Sequence, residues 1–359
     1  MSDFSQQIED IEEEIRKTPY HKGTEHYIGK LRAKIARLKD RQYESFSKSK
    51  GGGIGYAVKK QGDATVVLVG PPSAGKSTLI NTLTNAESKV ASYDFTTLTV
   101  VPGMMLYKNA YIQIFDVPGL IEGAQKGKGR GKEVISVTRA ADLLLVMADV
   151  ERIQLIDMIK SELYEAGIRI NQEKPNVNII KKLEGGIEIK SNIKQDLGSD
   201  TIKSIAHEFG IKNAEITLKE KVSINDLIDS FSPNRVYIDS LFVINKIDIK
   251  KDFNKNKLPS DTVYISADRE TNIDILREQI WKKLNLVTVY LIKEGEDLHY
   301  NSPIIMRGDQ KLSEVLPKLG SSFEEKYKMA KIWGKKAKYP GQEVPLTTKV
   351  EEKLQVRFI

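Results

Sequence analysis

The sequence predicts an α/β protein. Its centre is a largely parallel sheet with helices on both faces. An inserted α+β segment interrupts the sheet, and a helical N-terminal part and a small mixed C-terminal part flank it. Three observations predict this. Short β-branched apolar runs alternate with helical stretches, as in strands buried on both faces. A glycine-rich loop of the form G-x-x-x-x-G-K-S separates the first such run from a helix. About ninety residues, far more than a loop, then break the alternation between runs at 143–147 and 241–244.

In chain order, Ile8, Ile11 and Ile15, then Ile28, Leu31, Ile35 and Leu38, recur at helical spacing. Pro19 and Gly23 mark the turn between two helices, with Thr24 placed to cap the second. Gly51-Gly52-Gly53-Ile54-Gly55 is a flexible joint. The buried runs are Thr65–Val69, Tyr111–Phe115, Leu143–Met147, Leu241–Ile244 and Val263–Ile265. Ile273, Leu276, Ile280 and Leu284 give an amphipathic helix after the last.

Within the interruption, Asn176–Ile180 and Ile187–Lys190 read as a hairpin around Glu184-Gly185-Gly186. A helix over 200–209 has Ser199 to cap it and Gly210 to end it. A short strand near Glu215–Leu218 and a helix near Asn225–Phe231 follow. Strands at Val287–Ile292 and Leu354–Ile359 bracket a C-terminal part with a helix from Ser313. The domains expected are therefore 1–62, 63–150 continued by 241–285, the insert 151–240, and 286–359.

Composition excludes several classes. The 359 residues include no Cys, so a disulfide framework, cysteine zinc sites and thiol catalysis are out. The longest apolar run, Leu143–Ala148, falls far short of the ~20 residues of a membrane span. The acidic N-terminus lacks a signal-peptide core. A cytoplasmic protein without membrane partners is expected. His21, His26, His207 and His299 show no ligand spacing, and Trp281 and Trp333 read as core or interface residues.

The chemistry lies in an ordered series of motifs. Gly70, Pro71, Pro72, Ser73, Ala74, Gly75, Lys76 and Ser77 form the phosphate loop, continued by Thr78. Its glycines let backbone N–H groups wrap a phosphate, and the following helix adds its positive end. Lys76 reaches the β- and γ-phosphates, and Ser77 offers a hydroxyl to Mg²⁺. Asp116-Val117-Pro118-Gly119 then ends a buried strand, with Leu120 next. A carboxylate there holds Mg²⁺ through water, and the Gly119 N–H meets a γ-phosphate. Between the two, Thr97, with Thr96 as the alternative, is the second Mg²⁺ hydroxyl. Asn245-Lys246-Ile247-Asp248 supplies a carboxylate that accepts from guanine N1–H and the exocyclic amine, which adenine does not offer. Lys246 covers the base, Asn245 ties this loop to the phosphate loop, and the backbone N–H of Ala267, after Ser266, donates to guanine O6. The catalytic set is Lys76, Thr97, Asp116 and Gly119.

These residues resemble the developmentally regulated GTP-binding proteins, a group of Obg-related GTPases. The resemblance runs along essentially the whole chain. It is carried by Phe95-Thr-Thr-Leu-Thr99, Asp116-Val-Pro-Gly-Leu-Ile-Glu-Gly123 and Gly127-Lys-Gly-Arg-Gly131, then Ala166-Gly-Ile-Arg169, Asn234-Arg-Val-Tyr237 and Ile332-Trp-Gly334. It implies a helical N-terminal domain, a Ras-like P-loop G domain, an insert like a ribosomal-protein domain, and a C-terminal TGS domain of β-grasp fold. It also implies association with ribosomes in translation and, in eukaryotic members, a stabilising protein partner. Two departures stand out. Leu120 occupies the place of the water-orienting Gln of Ras-like enzymes. Ser73 stands where many Obg relatives carry an Asn associated with K⁺, which makes K⁺ a secondary candidate cofactor beside Mg²⁺.

The reading that follows is slow GTP hydrolysis by in-line water attack, used as a switch. Arg130, in the basic Lys126–Lys132 segment, is either a charge stabiliser or part of a solvated loop. A GTP-dependent scaffold with incidental hydrolysis is the rival, and an ATPase, against which Asp248 argues, is a third. The net charge of +7 is unevenly placed. Residues 63–285 hold 30 basic and 30 acidic side chains, whereas 16–62 alone carry +10 and 286–359 carry +3. Lys30, Lys34, Arg37 and Arg41 on the second helix, together with the Lys326–Lys338 stretch, are therefore the candidate rRNA contacts.

Overall fold

The computed structural model describes residues 2–48, 62–84, 101–116, 137–250, 258–301, 303–323 and 326–359. The chain forms two compact units, 1–55 with 167–237, and 56–166 with 238–359.

The second unit is built on strands β1 (Ala64–Val69), β2 (Val101–Tyr107), β3 (Ala110–Asp116), β4 (Leu143–Asp149), β9 (Val236–Asn245, from Ile238 onward) and β10 (Val263–Tyr264). Their order is β10-β9-β4-β1-β3-β2. All neighbours are parallel except β2, which runs antiparallel to β3 at the edge. β1 and β4 are buried at every position, which is why they read as unbroken apolar runs. On one face Val66, Leu68, Leu143, Leu145, Met147 and Val243 pack against two helices. These are α3 (Lys76–Thr84), through Leu79, Ile80 and Leu83, and α7 (Ile273–Lys283), through Ile273, Leu276, Ile280 and Trp281. On the other face α4 (Leu155–Glu165) buries Ile156, Ile159 and Leu163 beside β4, with Lys160 above the Phe242 ring at 4.9 Å.

The C-terminal part of this unit is a five-stranded sheet in the order β12-β11-β15-β13-β14. Its strands are β11 (Leu286–Leu291), β12 (Pro303–Arg307), β13 (Met329–Trp333), β14 (Gln342–Pro345) and β15 (Leu354–Phe358). The central pair, β11 and β15, is parallel. The helix expected from Ser313 is a 3₁₀ turn at Leu312–Glu314 followed by the four-residue α8 (Leu316–Leu319). Leu286 and Ile305 join the core of the larger sheet, and Arg307 pairs with Asp142 at 2.9 Å.

The first unit joins the N-terminal helices α1 (Ser2–Lys17) and α2 (Glu25–Lys48) to the three-stranded sheet of β6 (Val177–Lys181), β7 (Ile187–Ser191) and β8 (Ala214–Leu218). The short β5 (Ile168–Ile170) precedes that sheet in the chain. Helices α5 (Ser199–Glu208) and α6 (Ile224–Phe231) cover one face of the sheet. α2 has two buried sides. Leu31 and Leu38 face Ile8 and Ile11 of α1. Ala33 and Ala36 belong with Ile202, Ile205 and Ala206 of α5. Gly29 continues that small-residue side, where a Cβ would stand 3.3 Å from Thr201. A helix that buries two sides ties the N-terminal segment to the insert. The structure therefore groups 1–55 with 167–237, while α4, expected in the insert, lies in the second unit.

Three local expectations change. The runs at 176–180 and 187–190 do not pair with each other; β8 lies between them, antiparallel to β6 and parallel to β7. Its Ala214, Ile216 and Leu218 are the most buried side chains of the sheet, so β8 takes the centre. Ser199 is the first helical residue rather than the cap, which is Gly198. Thr24 stands just before α2, but its hydroxyl donates back to the Pro19 and His21 carbonyls instead of capping the helix. Gly210, at φ +75°, does end α5.

Candidate functional site

The phosphate loop spans the end of β1 and the start of α3. Two of its glycines are required by space. A side chain at Gly70 would run into the Met147 carbonyl, and one at Gly75, which sits at φ +92°, into the Asn245 amide. Every loop carbonyl from residue 70 to 75 is held by a donor. Lys76 Nζ donates to Gly70 and Pro71 at 3.2 and 3.1 Å. Arg152 Nη2 donates to Pro72 at 3.0 Å, Lys246 Nζ to Ser73 at 2.7 Å, and Asn245 Nδ2 to Ala74 at 2.9 Å. The Leu79 N–H closes the series on Gly75 at 2.9 Å. The planes whose carbonyls belong to Pro72, Ala74 and Gly75 thereby turn the N–H groups of Ser73, Gly75 and Lys76 the other way, which makes an anion-binding nest, while the Ala74 N–H makes a long bond to the Pro71 carbonyl at 3.4 Å.

Asn245 is the centre of the site. While its nitrogen holds Ala74, its Oδ1 accepts the Ala267 N–H at 2.9 Å, so the donor expected for guanine O6 is instead spent on tying the loops together. One buried side chain thus joins three segments that are far apart in sequence. The Ile247 N–H reaches the Ile265 carbonyl, which sets the guanine-reading loop against the Ser266–Ala267 turn. A hydrogen bond from the Ser266 hydroxyl holds the Asp248 carboxyl below its ordinary pKa, with Arg269 and Lys246 adding to the effect. Asp248 is therefore ionised at neutral pH, an acceptor on both oxygens.

Asp116 ends β3 beside the loop. Ser77 Oγ donates to its Oδ2 at 3.0 Å, and Lys76 Nζ stands 4.0 Å from its Oδ1. Oδ1 is buried and has no hydrogen-bond partner among the described residues. A hydroxyl and a carboxylate with an unpartnered oxygen are hard oxygen ligands, so these residues fit Mg²⁺ and its water shell. Thr97, Val117, Pro118, Gly119, Leu120 and Arg130 lie outside the described residues.

A family model described as "50S ribosome-binding GTPase" matches residues 65–182, and one for the "C-terminal region of MMR_HSR1 domain" matches 184–286. An uncharacterized GTP-binding protein of Methanocaldococcus jannaschii is 44% identical over 97% of this chain and 91% of its own length. Developmentally-regulated GTP-binding protein 2 of Homo sapiens is 37% identical, over 99% of this chain and 98% of its own. The chain belongs to the developmentally regulated GTP-binding protein family. Developmentally-regulated G-protein 3 of Arabidopsis thaliana, another relative, is 38% identical over the whole chain. Among solved structures, the Schizosaccharomyces pombe YchF GTPase covers 84% of this chain and 99% of its own, at 14% identity and TM-score 0.46. This member of the family therefore has a P-loop GTPase G domain of mixed α/β structure.

The sequence motifs do not contain Asp149 and Arg152. Asp149 is 2% exposed at the end of β4, where its Oδ1 accepts the N–H groups of Glu151 and Arg152. Burial pushes its carboxyl up, but the Arg152 guanidinium, with Lys246 beyond it, outweighs burial and holds the pKa below the ordinary value. The available signal was an acid closing an otherwise apolar run, Leu143–Ala148, with a cation three residues later.

The basic residues of α2 divide into two groups. Arg37 Nη1 donates to the Glu208 carbonyl at 2.5 Å, at the C-terminal end of α5, and Lys30 lies 3.9 Å from the Glu208 carboxylate. Lys34 and Arg41 are exposed. Among the described residues no helix is long and apolar enough to cross a membrane.

Proposed function

We propose that this chain hydrolyses GTP to GDP and phosphate as a switch, and that it works in the cytoplasm in association with ribosomes or rRNA. The observation that carries the nucleotide reading is the double hydrogen bond of Asn245, which brings the phosphate loop, the Asp248 loop and the Ala267 N–H into one site. Guanine is read by the ionised Asp248, and adenine would not offer that carboxylate its two donors. The loop N–H groups and Lys76 bind the phosphates and stabilise charge that develops on them. Ser77 and Asp116, joined by Thr97, would hold Mg²⁺, which supplies charge neutralisation at the phosphates when bound. Leu120 cannot orient water as Gln does, so slow intrinsic turnover that rises with a partner is the expected behaviour. K⁺ is a weaker candidate, because Ser73 offers no side-chain amide.

The domain names belong to the same proposal. The five-stranded sheet of 286–359 is read as a TGS domain of β-grasp type, and the three-stranded sheet with its two helices as the ribosomal-protein-like insert. The excess charge outside 63–285, the family model's description and the exposed Lys34 and Arg41 support the ribosomal partner. A stabilising protein partner is proposed by resemblance alone.

Phosphate release measured with and without ribosomes, at several salt concentrations, tests this reading. Stimulated turnover with salt-sensitive binding supports it. Ribosome binding without stimulation favours the GTP-dependent scaffold, and no binding at low salt removes the ribosomal partner. Replacing Lys34 and Arg41 by Ala should lower ribosome affinity and leave GTP affinity unchanged.

A further inference from the structure

Arg152 lies outside every nucleotide motif, yet its guanidinium spans two contacts. Nη2 and Nε donate to Asp149 Oδ2 at 2.6 and 3.1 Å, and Nη2 also donates to the Pro72 carbonyl at 3.0 Å. Lys246 uses the same carboxylate oxygen, at 3.9 Å, while donating to the next carbonyl along, Ser73. One buried carboxylate therefore anchors two cations, and the cations grip two consecutive carbonyls of the phosphate loop.

The residue they grip needs holding. Ser73 sits at φ +59°, a left-handed conformation that costs energy for a residue with a side chain. Held on both sides, it keeps the loop in the shape that presents its N–H groups. Arg suits the task better than Lys, because its planar fork bonds in two directions at once. Packing does not explain it, since the Arg152 side chain is 35% exposed.

We infer that Arg152, fixed by Asp149, is a positioning residue of the phosphate loop and sets how tightly the β-phosphate of the bound nucleotide is held. The inference rests on the guanine-nucleotide reading above. Its effect is confined to the phosphates, because the Asp248 contact to the base does not pass through Arg152.

The test is equilibrium titration of the full chain with GDP and with GMP, for wild type, Arg152→Ala and Arg152→Lys, together with GDP release rates. Arg152→Ala should weaken GDP about tenfold, the size of one charge-assisted hydrogen bond, and speed its release. GMP affinity should not change, and Arg152→Lys should recover part of the loss. Unchanged GDP affinity, or equal losses for GDP and GMP, overturns the inference while leaving the proposed function standing. A wild-type chain that binds neither nucleotide overturns both. Asp149→Asn should lose more GDP affinity than Arg152→Ala, because it frees Lys246 as well; a smaller loss contradicts the shared anchor.

Discussion

The Asn245 amide nitrogen lies 2.9 Å from the Ala74 carbonyl, and this contact fixes the phosphate loop to the guanine-reading loop. The same side chain accepts from Ala267. Asn245→Ala would leave a buried carbonyl and a buried N–H without partners, at a cost of about 2–4 kcal/mol. Affinity for GTP and for GDP should fall by at least about thirtyfold in titration. A change under about twofold would show that the loops hold their places without Asn245.

Base choice rests on Asp248. Xanthine carries a carbonyl where guanine has its exocyclic amine, so an amide side chain complements it. Asp248→Asn should weaken GTP by about a hundredfold or more and bind xanthosine triphosphate better than GTP. Unaltered preference for GTP would place guanine recognition elsewhere.

Two stretches of family resemblance meet in the first unit. Arg169 pairs with both oxygens of Asp229, at 2.5 and 2.8 Å, and Arg235 joins Asp229 at 2.8 Å and Asp40 of α2 at 3.3 Å. Asp229 is buried between two guanidinium groups, so Asp229→Asn should destabilise this unit by about 3–5 kcal/mol in denaturant unfolding. A loss under about 1 kcal/mol would mean that solvent or rearrangement takes its place.

Tyr237 gives the same unit an alkaline limit. Burial, then the Asp229 charge, pushes its phenol up to about 12 from 10.0. The native state keeps this proton after the unfolded chain has lost it. The contribution is complete below pH 10 and is lost as pH rises toward about 12, to a total of about 2–3 kcal/mol. The hydroxyl has no hydrogen-bond partner among the described residues, so Tyr237→Phe should cost little at pH 8 and flatten the loss above pH 10. An unchanged alkaline profile in the variant would assign the loss to other groups.

The parts of the fold legible in the sequence were those with a strong local pattern. β1, β3, β4 and β9 are buried on both faces and read as apolar runs, and α7 shows its buried Ile273, Leu276 and Ile280 at helical spacing. Pairing was less legible. The alternation in β6 and β7 shows which side is buried but not which strand is the neighbour, so the strand expected near Glu215–Leu218 is present as β8 while its place between them was not legible. β2 escaped because Pro102 and Gly103 suit only an edge strand. The joining of α2 to the insert was written in Gly29, Ala33 and Ala36, small residues that look neutral in a helix until a second helix packs on them. Within the site, the motif residues were legible because phosphate and guanine chemistry demands fixed spacing. Asp149 and Arg152 were not, because they act on the loop and not on the nucleotide.

The central claim is a guanine-specific phosphate-loop site, and titration with GTP and ATP in the presence of Mg²⁺, for wild type and Lys76→Ala, tests it most directly. GTP should bind at least about a hundredfold more tightly than ATP to the wild type, and Lys76→Ala should lose tight binding. Equal affinity for the two nucleotides, or unchanged GTP affinity in Lys76→Ala, would contradict it.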